Sequence, residues 1–278
     1  MADEIETLDL AHSYDESLLD AFYNRLYLPA FPIKDEREEL SSWKWYIAHP
    51  EESGAETHII ITGYHLQEKN PVIAGGVVVE YYPRSQVSLL TYIVVASEFR
   101  GCGLARRLVK EANKEMKAAA ERINPENRPL AYFAESNDPA SPLTSQDSQD
   151  PYQRLMLLSR LGYYEVDFPY IQPRLEGRSN RYYGLKLLAH RASWGEDQTV
   201  FPEGAVHFEL ESSIVRSFIN DLYTVLEGPP SLQDRDYKSM MDFIDGRKAL
   251  VCSPLHAAGE CYTHQHNKLQ HSKLPNKR

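Results

Sequence analysis

The sequence predicts a mixed α/β (α+β) fold, in which a central, twisted and mostly antiparallel sheet is flanked by helices and followed by a C-terminal helical extension. Three observations predict it. Runs rich in Val and Ile at residues 57–64, 72–82 and 87–95 are separated by polar or Pro-containing turns and read as an antiparallel meander. From Leu104 to about Ile123, the residues Leu104, Leu108, Ala112, Met116 and Ala120 keep one helix face apolar while Lys, Arg and Glu fill the other. Beyond that helix, strand-like and helix-like segments alternate: a strand at 130–134, a helix bracketed by Pro151 and Gly162, then strands at 163–171 and 182–189.

The flanking elements follow from local chemistry. Ser13 and Glu16 have the spacing of a capping box, opening a helix whose Leu18, Phe22 and Leu26 recur every four residues up to Pro29. A second short helix is expected at 36–47. The polar, Pro- and Asp-rich stretch 136–150 reads as a loop. A composition shift at 193–204 reads as a linker, followed by a strand at 204–210 and an amphipathic helix at 212–227 built on Ile214, Val215, Phe218, Leu222 and Leu226 and stopped by Gly228. The chain thus divides into a main domain at 1–192, a helical extension at 193–250, whose stretch from Asp236 to Ile244 fades toward the tail, and a polar tail at 251–278 expected to be flexible.

Composition excludes several functions. Forty acidic against thirty basic residues give a formal charge of −10, which argues against binding nucleic acid through a broad basic face. Three cysteines (Cys102, Cys252, Cys261) make no disulfide framework and suit a reducing compartment, the cytoplasm by default. The N-terminal ten residues lack the basic and apolar parts of a leader, and no apolar run is long enough to span a bilayer, so no membrane role is expected. His264, His266 and Cys261 do not have the spacing of a structural zinc site, and no metal is expected there.

The chemistry-bearing motif lies between the third strand and the long helix. Arg100, Gly101, Cys102, Gly103, Leu104 and Ala105 join the two. Small residues let the backbone curl tightly, and the N–H groups at a helix start, aided by the helix dipole, face an anion. This predicts a bound phosphate or pyrophosphate. A nucleotide P-loop is excluded because the GKS or GKT element is missing, and a dinucleotide fingerprint fails because its third glycine would fall at Arg106.

These residues resemble the acyl-CoA signature of the GNAT superfamily of N-acetyltransferases, in which Arg or Gln is followed by two residues, Gly, one residue, then Gly or Ala. Arg100, Gly103 and Ala105 fit it. The order of elements over residues 15–190 is also similar, and the Pro- and Asp-rich stretches resemble a bacterial branch of unassigned acceptor. The resemblance implies transfer of an acetyl group from acetyl-CoA to a primary amine of a small molecule or peptide, by direct ternary-complex transfer. It implies that the loop from Arg100 to Ala105 holds the CoA pyrophosphate, that main-chain groups around Ile93, Val94 and Val95 pair with the pantetheine arm, and that Asn137 contacts it. The alternatives are a longer acyl group, or a non-catalytic acyl-CoA sensor or scaffold. The second arises because the family's usual general base and acid positions hold Thr91 and Leu158 here.

Catalytic candidates must therefore come from elsewhere. An amine nucleophile needs a base and the departing thiolate needs a proton. Glu135, at the end of a strand beside the cleft, is the first candidate base and Glu80 the second; Tyr170 and Tyr152 are candidate acids. Asp147 and Asp150 suit a cationic acceptor and Arg154 an anionic group. The helix at 212–227 offers a face for a second copy of the chain, giving a homodimer.

Overall fold

The computed structural model describes residues 4–141, 150–176, 178, 180–194 and 207–255. Nine strands form one sheet in the order β1-β2-β3-β4-β5-β7-β6-β9-β8, comprising β1 (Glu6–Asp9), β2 (Glu56–Tyr64), β3 (Val72–Tyr82), β4 (Val87–Val95), β5 (Ala131–Asn137), β6 (Tyr163–Val166), β7 (Leu185–His190), β8 (Phe208–Glu211) and β9 (Ala249–Pro254). Among the described residues, only β4 with β5 is a parallel pair; every other strand pair is antiparallel. The helices are α1 (Glu16–Phe22), α2 (Leu28–Ala30), α3 (Leu40–Ala48), α4 (Pro50–Ser53), α5 (Leu104–Ile123), α6 (Pro151–Leu161), α7 (Ser212–Glu227) and α8 (Arg235–Asp245). No helix among the described residues is long and apolar enough to cross a membrane.

Both faces of the sheet are covered, which explains why its central strands are almost continuously apolar. On one face α5 inserts Leu108, Val109, Ala112 and Met116 against Val77, Val79, Leu90 and Ala134, and α6 adds Leu155 and Leu158. On the other face α1 and α3 pack Leu18, Phe22 and Trp43 against Ile59, Ile61 and Val78. Farther along the same face, α7 and α8 bury Val215, Phe218, Leu222, Met240 and Met241 against Leu89, Phe133 and Leu187.

Several expectations are corrected. The cap of α1 is Asp15, whose carboxylate accepts the Leu18 N–H at 3.0 Å, and not a Ser13 capping box. The helix then widens into a π-helical turn at Tyr23–Tyr27. The segment 193–250 is not a helical appendage. Strands β8 and β9 flank α7 and α8 and continue the main sheet through the β6–β9 pairing of Glu165 with Ser253. The first residues of the expected tail, 251–254, belong to β9, and Leu255 is buried. The apolar stripe of α7 lies in its own chain's core, so it is no face for a second copy. Cys261, His264, His266 and His271 fall outside the described residues.

The extension is clamped by charge as well as by apolar contact. Arg181, nearly buried, donates to Glu227 and Asp234 at 2.6 Å and to Asp236 at 3.3 Å. Glu227 also accepts from Arg174 at 2.9 Å. Removing one partner of a nearly buried ion cluster leaves like charges uncompensated. We expect Arg181→Met to lower stability by on the order of 3 kcal/mol. Urea unfolding of the two proteins measures this, and an unchanged midpoint contradicts the clamp.

Candidate active site

The site begins at a fault in the sheet. Val78 pairs with Tyr92 and Val79 with Leu90, so Thr91 is an extra residue on β4, a β-bulge that bends and twists the strand. Thr91 donates its hydroxyl to the Val78 carbonyl at 3.1 Å. Strand β5 pairs with β4 only from Val87–Ala131 to Leu90–Ala134, where the bulge begins. Beyond that point β5 follows β7, through Phe133–Ala189 to Asn137–Leu185, while β4 stays on β3. The strands part and leave a cleft.

Main-chain alternation decides what faces that cleft. Ala96 donates its N–H to Ala74 on the β3 side, so the two-residue period also turns Val94 toward β3. Ile93 and Val95 then present their N–H and C=O groups to the gap. Arg100 reaches the Val95 carbonyl with its Nε at 3.1 Å, consistent with that orientation. Val94, expected among the cofactor contacts, is instead engaged by β3 and has its side chain in the core.

The loop ahead of α5 lies at the mouth of the cleft. Gly101 and Gly103 have φ of 81° and 82°, left-handed values that favour glycine, and a Cβ on either would meet nothing within 4 Å. The backbone conformation selects these glycines, and the space over the loop is open. Gly103 is the N-cap of α5, and no side chain caps the helix there. Its first N–H groups are thus presented to an anion, with the helix dipole adding to the attraction. Leu104 anchors the turn in the core, and the exposed Cys102 donates its thiol to the Phe99 carbonyl at 2.8 Å.

Opposite α5, the cleft opens into a cavity lined by Glu36, Glu38, Glu80 and Glu135, by the tyrosines Tyr46, Tyr82 and Tyr92, and by Leu222, Val225 and Leu226 of α7. Glu135 accepts from the Tyr170 hydroxyl and, at 2.8 Å, from Gln172 Nε2. Glu80 accepts from the Tyr82 hydroxyl at 2.6 Å. The Glu38 carboxylate takes the Trp43 indole N–H, and its main chain is held by Tyr27 and Tyr23 of the π-helical turn, each at 3.0 Å. Asn137 donates to Glu36 at 3.1 Å.

Burial makes these carboxylates hard to ionise. It pushes Glu135 up to about 7 against the pull of its two hydrogen-bond donors. It pushes Glu38 up to about 8, helped by the charges of Glu80 and Glu135, and it raises Glu80 as well. Like charges around one cavity cannot all form at neutral pH, so protons are held there and can be exchanged.

The structure brings Glu135, Glu80 and Tyr170 together, and Arg154 lines the same cavity. Asp150 is not an acceptor group here. It caps α6, accepting the Tyr152 N–H at 2.9 Å, and Tyr152 is exposed on the first turn. Asp147 falls outside the described residues. Leu158 is core. Sequence reasoning missed Glu38, which sits in a charged run that reads as solvated surface. It also missed the wall supplied by α7, whose apolar stripe signals burial but not what it is buried against.

Residues 19–135 match the model of the acetyltransferase (GNAT) family. No curated protein sequence matches the chain. Among solved structures, a GNAT-family acetyltransferase from Bacteroides thetaiotaomicron is similar at TM-score 0.48 and 13% identity, over 82% of this chain and 99% of that one. Spermidine N-acetyltransferase from Vibrio cholerae, solved with CoA and spermine, gives 0.41 and 13%, over 68% and 98%. The IAA acetyltransferase from Bacillus cereus ATCC 14579 gives 0.38 and 13%, over 67% and 99%. The residues that match that family's model run from α1 through the bulged strand and the glycine loop to Glu135, the part of the chain that builds the cleft.

Proposed function

We propose that the chain transfers an acetyl group from acetyl-CoA to a primary amine of a cationic small molecule or peptide, directly and within a ternary complex. One observation carries the reading. β4 and β5 part between a helix start that no side chain caps and a cavity of buried carboxylates. The chain fits the donor: the left-handed glycine loop leaves open space for a pyrophosphate, and the main-chain groups that Ile93 and Val95 turn away from β3 suit the amides of a pantetheine arm.

The cavity suits an ammonium ion. Its carboxylates attract positive charge once they ionise, and Tyr46 and Tyr92 line the same cavity. Glu135 then takes one proton from the ammonium, with Tyr170 and Gln172 holding its two oxygens in place. The freed amine lone pair forms the C–N bond to the acyl carbon and the C–S bond breaks. The second amine proton ends on the CoA thiolate, so each turnover releases one proton. Glu80 and Glu38 hold further protons nearby and keep the cavity's charge low until the cation arrives.

Three outcomes test this. Acetyl-CoA is expected to raise the melting temperature by mass action, and Gly103→Glu, which places a carboxylate where the pyrophosphate would sit, to abolish the rise. An equal rise in the variant rules out the loop. Glu135→Gln is expected to lower kcat/KM by about 10²- to 10⁴-fold with CoA affinity kept, and to lose the acid-side limb near pH 7 that the wild type shows. Identical pH–rate profiles would remove Glu135 from the mechanism. The third outcome concerns stability. The Glu38 carboxyl is raised from its ordinary value of 4.5 to about 8 in the folded chain, so the stability it contributes is full below the unfolded value and is lost as pH climbs toward 8. Melting temperatures of the wild type should fall between about pH 5 and pH 8 more steeply than those of Glu38→Gln; parallel curves contradict the buried carboxyl.

A further inference from the structure

On the α5 face, remote from the glycine loop's cleft, four side chains from four parts of the chain converge. They are Asp9 at the end of β1, His12 in the turn that follows, His58 on β2 and Glu115 on α5. Each offers one ligand atom, and all four atoms lie within 4.8 Å of one another. We propose that Asp9, His12, His58 and Glu115 form a binding site for a divalent transition metal of the zinc class.

The ligand set and spacing suit such an ion. Two imidazole nitrogens and two carboxylate oxygens are borderline donors of the kind zinc takes, and two carboxylates with two neutral imidazoles balance a dication. Bonds of about 2.0–2.2 Å in a tetrahedron separate the ligand atoms by roughly 3.3 Å. Here Asp9 Oδ2 is 2.5 Å from His58 Nδ1 and 3.7 Å from His12 Nε2, and His12 Nε2 is 3.0 Å from Glu115 Oε2. These values bracket the tetrahedral edge, so side-chain shifts of under about 1 Å close the shell.

The surroundings are built as a metal site's outer shell is built. The other nitrogen of His58, Nε2, lies 2.9 Å from Glu56, and Glu56 is ion-paired with Arg122, two turns beyond Glu115 on α5. A carboxylate on the far nitrogen fixes the tautomer and turns the Nδ1 lone pair toward the cluster. Asp9 Oδ1 is occupied by the Ala11 N–H at 3.0 Å, which leaves Oδ2 directed at the other ligands. The His58 side chain is fully buried, those of Asp9 and Glu115 are 10% and 17% exposed, and that of His12 is 51% exposed. The pocket is therefore closed beneath and entered past His12. A bound ion would tie β1 and β2 to α5, the helix that presents the anion loop.

The test uses the full chain with Cys261, His264, His266 and His271 replaced by Ala, so that the C-terminal histidines do not compete, stripped with chelator and titrated with ZnCl2 in a calorimeter. One equivalent is expected to bind and to raise the melting temperature. His12→Ala, at the surface, and Glu115→Gln, which keeps the side chain's shape, should abolish that binding while keeping the metal-free melting temperature and circular dichroism. Glu56→Gln, which touches no ion, should weaken it about 10- to 100-fold. CoCl2 in place of zinc should give the intense visible bands of a tetrahedral ion in the tail-substituted chain and not in His12→Ala. No stoichiometric binding, binding unchanged by His12→Ala and Glu115→Gln, or a weak octahedral cobalt spectrum would each overturn the proposal.

Discussion

The site depends on the parting of β4 from β5. A strand in the middle of a sheet has every main-chain group paired, and such a sheet offers a ligand nothing but side chains. The extra residue Thr91 and the end of pairing at Leu90 and Ala134 change that. They free one edge of β4 inside the sheet without exposing it as a long open edge, because β5 is taken up by β7 and the two faces are covered by helices. The gap connects the two faces. On one face the parallel crossover through α5 delivers the glycine loop to its mouth, and on the other Leu89 and Tyr92 of β4 and Glu135 of β5 line a common cavity.

The cavity is costly, and the rest of the chain holds it together. Carboxylates as buried as Glu38, Glu80 and Glu135 are stable only when each is hydrogen-bonded, and every one has a donor: Trp43, Tyr82, and Tyr170 with Gln172. These donors come from distant parts of the sequence. Gln172 is placed by its bridge to Tyr182, next to Arg181 and its cluster with Glu227, Asp234 and Asp236, while the Tyr223 hydroxyl holds the Ile171 carbonyl at 2.9 Å. The C-terminal part of the chain thereby positions a carboxylate on β5, and α7 forms one wall of the cavity. This coupling explains why β8 and β9 continue the main sheet and do not form a separate unit.

Much of this was legible in the sequence where one element's own pattern suffices. The meander, α5 with its four-residue apolar period, α6 between Pro151 and Gly162, and α7 ending before Gly228 all carry their boundaries locally. The glycine loop was legible because Gly101 and Gly103 announce a left-handed turn before a helix. Strand β1 has only four residues, and β9 is held by β6 and β8 on either side, so neither carries a pattern long enough to read. The bulge at Thr91 left no mark in an apolar run whose alternation is hidden by burial on both faces. Glu38 was illegible for a different reason. Its neighbours are charged, and only the tertiary approach of Trp43 and the π-helical turn buries it. Asp150 misled in the opposite sense, since an Asp before Pro151 reads equally as a ligand or as the helix cap it is.

The central claim is that the β4–β5 gap joins the donor loop to the carboxylate cavity, and a crystal structure of the chain with CoA tests it most directly. The account predicts pyrophosphate density against the N–H groups from Gly101 to Ala105, pantetheine amides paired with Ile93 and Val95, and the thiol emerging where Leu90 and Ala134 part, on the side that faces Glu135. Density for CoA along any other surface, or a thiol turned away from Glu135 and Glu80, would contradict it.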